Sequence, residues 1–181
     1  MENARIGGDA DIQSIGLIDV SNITAETNSI GEAKATTDLS VLSLEISEAL
    51  EVGGIASFTT QTSAKANVSA DNIEGNAVSS NNEGLGNAYS LAGMQLNGLD
   101  LGSDAAFTSV LLDELNTTAK TVKGDASASN NQSLLGIGFF GEGNELAGDV
   151  SVSSVMSHTS FTEASSVQGV ATADELSLIH I

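Results

Sequence analysis

The chain has no cysteine, no proline and no tryptophan, and only one tyrosine and five phenylalanines in 181 residues. Without cysteine there is no disulfide framework, no thiolate metal site and no thiol nucleophile. Five basic residues stand against 24 acids, a formal charge of −19. That leaves no electrostatic footprint for nucleic acid or an anionic membrane surface. No apolar run approaches the roughly 20 residues of a membrane-spanning helix, so no membrane insertion is expected. The opening residues lack the basic and apolar regions of a signal peptide, so an export signal, if one acts, lies outside this chain. What remains is 40% hydrophobic, with 19 glycines and many Ala, Ser, Thr and Asn. The length suits one domain with a real core, packed from small side chains.

One short pattern recurs: Gly, an often acidic or amide residue, a small apolar residue, any residue, then another small or apolar one. It stands at Gly8-Asp9-Ala10, Gly31-Glu32-Ala33, Gly54-Ile55-Ala56, Gly75-Asn76-Ala77, Gly124-Asp125-Ala126, Gly148-Asp149-Val150 and Gly169-Val170-Ala171. Successive copies are 21 to 24 residues apart, apart from one double gap with a degenerate copy near Gly102. A second apolar position follows each glycine, at Ile23, Leu44 with Ile46, Val68, Tyr89, Leu115, Phe139 and Phe161. Period-two alternation over residues 56–70 marks a strand, since a helix needs spacings of three and four. Thr108–Leu115 and Val41–Val52 admit a helical reading. The absence of proline suits a continuous ladder, where every residue must donate.

A unit of this length cannot bury its own apolar face, and stacking copies makes one continuous core. The expected fold is all-β: a parallel β-solenoid of about eight coils with a period of roughly 23 residues. An antiparallel sandwich or meander is the alternative. Stacking puts Ala10, Ala33, Ala56, Ala77, Ala126, Val150 and Ala171 in one thin column, and Tyr89, Phe139 and Phe161 in a second. Asn-rich turns, as at 130–131, are expected to form amide ladders along the axis. Residues 1–176 read as a single repeat domain, a fragment of a longer chain. Residues 177–181 read as a foreign tail, because Leu-Ser-Leu-Ile-His-Ile resembles a translated sequencing adapter.

Few residues offer chemistry. Asp9 and Asp11 share a strand face beside Gly7-Gly8 and resemble one imperfect copy of a calcium-binding β-roll repeat. They are the metal candidates, for Ca²⁺, and no other cofactor is expected; a solvated acidic edge is the simpler reading. Asp113-Glu114 and Glu142 with Glu145 are the remaining acid clusters, and Lys120 and Lys123 lie near the first in sequence. A carboxylate pair or carboxylate–base set suits polysaccharide cleavage only when it shares one face. His158 has no acid beside it in sequence, which argues against a triad or metal role.

Small-residue repeats, an acidic surface and freedom from cysteine resemble the repetitive β-solenoid regions of secreted bacterial adhesins, of the filamentous-haemagglutinin type. The resemblance implies an extracellular or cell-surface structural or adhesive protein, not an enzyme. Its partners would be other copies, neighbouring repeats of a longer chain, or surface glycans. Gly84-Leu-Gly-Asn-Ala88 resembles the core of curli-like biofilm amyloid repeats, which gives a second reading. The shaft of a carbohydrate-active β-helix enzyme or phage tail spike is a third.

Overall fold

A computed structural model describes residues 4–37, 40–80, 89–141 and 143–180. The described strands pass four times through three separate sheets, each pass a circuit in the sense of sheet order alone. The first runs β1 (Ala4–Ile6), β2 (Ala10–Thr27), β3 (Glu32–Thr36) and β4 (Ser40–Ile46). The second runs β5 (Leu50–Val52), β6 (Ala56–Asn72), β7 (Asn76–Ser80) and β8 (Tyr89–Leu96). Next come β9 (Leu99–Leu101), β10 (Ala105–Lys123) and β11 (Ala126–Phe139). The last circuit is β12 (Glu145–Leu146), β13 (Val150–Gln168) and β14 (Ala171–His180). Four short strands form one sheet, β1-β5-β9-β12, and four long ones a second, β13-β10-β6-β2. The third is β3-β7-β11-β8-β4, with β14 also on β11. Every pairing among the described residues is parallel, which sets aside the antiparallel sandwich and meander. The helical readings of Thr108–Leu115 and Val41–Val52 give way to strand, in β10, β4 and β5.

The pairing register corrects the period. Ala10 pairs with Ala56, Ala56 with Ala105 and Ala105 with Val150, steps of 45 to 49 residues. One circuit is therefore two sequence repeats long, and there are four circuits where about eight coils were expected. The glycine motif marks two different corners of each circuit. Its copies accordingly fall into two columns: Ala10, Ala56, Ala105 and Val150 on the second sheet, and Ala33, Ala77, Ala126 and Ala171 on the third. The degenerate copy belongs at Asp104-Ala105, in line with Asp9-Ala10.

Where one corner stacks on another, the upper glycine is constrained. A Cβ on Gly75 would overlap the Gly31 carbonyl, and one on Gly169 the Gly124 carbonyl. Gly124 also has φ +116°, which a side-chain-bearing residue rarely adopts. Beside the glycine, an Asp or Asn reaches along the axis. The Ile55 N–H donates to Asp9 Oδ1 (2.9 Å), Asp149 N–H to Asp104 Oδ1 (3.0 Å), Asp125 N–H to Asn76 Oδ1 (3.0 Å) and Val170 N–H to Asp125 Oδ1 (2.9 Å). These acids and amides close backbone donors that the corner leaves without a strand partner.

The alternation read over residues 56–70 holds without a break along β6. Its inward face carries Phe58, which stacks on Phe107 of the next circuit with ring centres 5.0 Å apart and planes 6° from parallel. Phe107 meets Phe139 edge-on at 5.1 Å. Leu50, Val52, Leu99 and Leu101 of the short-strand sheet complete this part of the core. The expected aromatic column does not form. Phe139 follows Leu96 and Ile46, Phe161 pairs with Asn116 and is 51% exposed, and the Tyr89 side chain lies outside the described set. Asn130, expected in a turn, is buried within β11.

Candidate functional site

The doubled register joins residues that the shorter repeat keeps apart. Asp113 on β10 and His158 on β13 occupy one inward-facing column, with Oδ2 2.9 Å from Nδ1. The Asp113 side chain is fully buried, and that of His158 is 14% exposed. On β14, Glu175 Oε1 stands 3.9 Å from His158 Nε2. One ring therefore ties three strands in two sheets. Beside it, Asn130 Nδ2 donates to Ser160 Oγ (2.9 Å) and Thr162 Oγ1 (2.7 Å), and Thr117 donates to Asn130 Oδ1. Polar groups so deep are stable only when they are paired. Here alternation has placed them inward, so each takes its partner from across the core or along a column.

A second cluster faces outward on the long-strand sheet. Lys65 Nζ donates to Glu114 Oε1 at 2.7 Å, Asn116 Nδ2 donates to the same oxygen at 3.2 Å, and to Asn67 Oδ1 at 2.8 Å. The Lys65 ammonium, and after it the Asn116 amide, hold the Glu114 carboxyl below its usual range. A shallow groove runs past Ser63, Lys65, Leu112, Glu114, Ser157 and Thr159. Its walls offer hydroxyls and charge, groups suited to hydrogen bonding with a polar surface. The Asn67–Asn116 pair is the amide ladder expected of the turns, formed instead in mid-strand because 49 residues separate the two.

No known family, curated protein or solved structure matches this chain.

Asp9 gives one carboxylate oxygen to the Ile55 N–H, and Asp11 accepts from Gln13 Nε2 at 3.0 Å. Asp9 thus repeats the corner role of Asp104 and Asp125. Among the described residues, no group of three or more His, Asp or Glu is arranged to hold a metal ion. Lys120 and Lys123 do not join Asp113: Lys120 lies 3.8 Å from Glu163 and Lys123 3.2 Å from Glu74. Glu145 is exposed on β12, and Glu142 lies outside the described residues. The Asp113–His158 pair was missed because a 23-residue period places two positions 45 apart two coils from each other, out of contact, whereas the register makes them direct neighbours. The doubled spacing of Ala105 to Val150 is the sequence signal that would have found it.

Proposed function

We propose that the circuits close into a β-helix, and that the protein is an extracellular structural or adhesive scaffold without catalysis. The single observation that carries this reading is the register: three parallel sheets visited in the same cyclic order, with each circuit paired to the next in steps of 45 to 49 residues. Such a chain presents long flat faces, here rich in Ser, Thr, Asn and carboxylates, suited to glycans or to neighbouring repeats. The curli-like reading gains no support from the register. Gln13 pairs with Thr59, Gln61 with Val110, Gln95 with Gly138 and Gln168 with Lys123, so these glutamines form no ladder.

Deleting one whole circuit tests the architecture. Removal of residues 56–104 joins Ile55 to Ala105 and leaves Ala10 beside Ala105 in the same column. This variant should keep its strand circular dichroism and a cooperative melt, whereas removal of 56–78, one sequence repeat, should lose both. Equal behaviour of the two deletions would refute the closed circuit. For the activity, immobilised polysaccharides should retain the protein without release of new reducing ends. Release of reducing ends would favour the carbohydrate-active reading instead.

A further inference from the structure

Among the described residues, the outermost long strands, β2 and β13, each pair on one side only. A free parallel edge presents a row of N–H and C=O groups ready for another strand. At the start of β13 the inward side chains of the last circuit are also exposed. Val150 is 41% and Val152 56% exposed, while Ala105 and Phe107 beneath them are at most 4% exposed. Ala171 and Ala173 are likewise exposed above the buried Ala126 and Ala128. Asp149 stands where Asp9 and Asp104 accept the N–H of a following circuit, with no further circuit above it among the described residues.

We propose that this edge takes a second copy of the chain, β2 of one copy pairing in parallel with β13 of another. The register is the one that already joins the circuits, with Ala10 beside Val150. The inference rests on the circuit reading above for its contacts across the third sheet. Nineteen residues of β13 meet 18 of β2. Inward, Ile12 falls on Val152 and Ser14 on Ser154; outward, Ile15, 69% exposed, falls beside Val155, 52% exposed. On the third sheet Ala33 and Ala35 cover Ala171 and Ala173.

The charges fit this register. Asp11, Asp19 and Glu26 of the first circuit fall beside Ser151, Thr159 and Ser165 of the last. Glu163 and Asp174 of the last fall beside Thr24 and Thr36 of the first. Asp9 meets Asp149, which repeats the Asp104–Asp149 arrangement already present within the chain. Glu175, facing inward, brings His158 as its neighbour at 3.9 Å. Two different patches meet, so the contact is head-to-tail and does not close on itself, and it builds a filament. The charge of −19 opposes approach at long range, so assembly grows as salt screens it.

The chain has no cysteine of its own, which makes the register directly measurable. Ser153 and Gln13 are outward neighbours in the proposed junction. Paired strands lie about 4.8 Å apart, within disulfide reach. A mixture of Ser153→Cys and Gln13→Cys copies should give intermolecular disulfides on oxidation in high salt. A mixture of Ser153→Cys and Leu17→Cys, four residues out of register, should not. The weight-average mass of the wild-type chain should at least double between low and high salt, and Val152→Lys, at the exposed end, should abolish that rise without lowering the melting temperature. Equal disulfide yields in both mixtures, or a mass that ignores salt, overturns the proposal. The circuit-deletion experiment judges the β-helix separately, on monomer.

Discussion

Asp113 and His158, 45 residues apart in the chain, stand side by side on β10 and β13 with 2.9 Å between Oδ2 and Nδ1. The Asp113 side chain is fully buried, so the imidazole supplies a hydrogen-bond partner that water cannot. Removing one partner of a buried pair leaves the other stranded, which costs more than the pair itself contributes.

His158→Ala should therefore destabilise the chain by about 3 kcal/mol in denaturant unfolding. Adding Asp113→Leu to it should recover much of the loss, because the stranded charge is then gone. A double variant as unstable as the sum of the two singles would show that the pair is not coupled.

The alanine columns give a second contrast. Ala126 is 1% exposed between Ala77 and Ala171, and Ser127 beside it points outward. Ala126→Leu should cost about 1–3 kcal/mol, with Ser127→Leu near neutral. Ala171→Leu, in the same column but at the exposed end, should be tolerated by the monomer. A cost at Ala171 equal to that at Ala126 would refute the column assignment.

Corner glycines differ by location. A Cβ on Gly7 meets nothing within 4 Å, whereas one on Gly124 would come within 2.7 Å of the Gly75 carbonyl oxygen at φ +116°. Gly7→Ala should be neutral or stabilising by up to about 1 kcal/mol. Gly124→Ala should lower the melting temperature, because strain and overlap act together. Equal melting of the two variants would count against the stacked corner.

Acid response should depend on Glu114. Lys65 holds its carboxyl below the usual range, so the contribution to stability is complete above the ordinary carboxylate range and disappears as pH falls through the lowered folded value. Protonating the other acids relieves repulsion at the same time, so the comparison is with Glu114→Gln. The stability difference between wild type and Glu114→Gln should shrink as pH falls through that window, and shrink with salt at neutral pH, because both partners are well exposed. A difference constant with pH would separate Glu114 from the acid response.

Strand character, the inward and outward faces of β6 and the presence of a repeated corner are all local properties of the sequence. Alternation is a period of two, and a corner needs its glycine wherever it occurs, so residues 56–70 and the Gly-x-Ala motif are legible without any fold. The 23-residue spacing was equally real, but it measured the distance between two kinds of corner. Which corner lies above which depends on pairing 45 to 49 residues apart, and only hydrogen bonding between whole circuits selects that offset. The same step decided that Phe58 stacks on Phe107, that Asn67 meets Asn116, and that His158 has an acid beside it. Side-chain periodicity says which face a residue occupies; register alone says what it meets there.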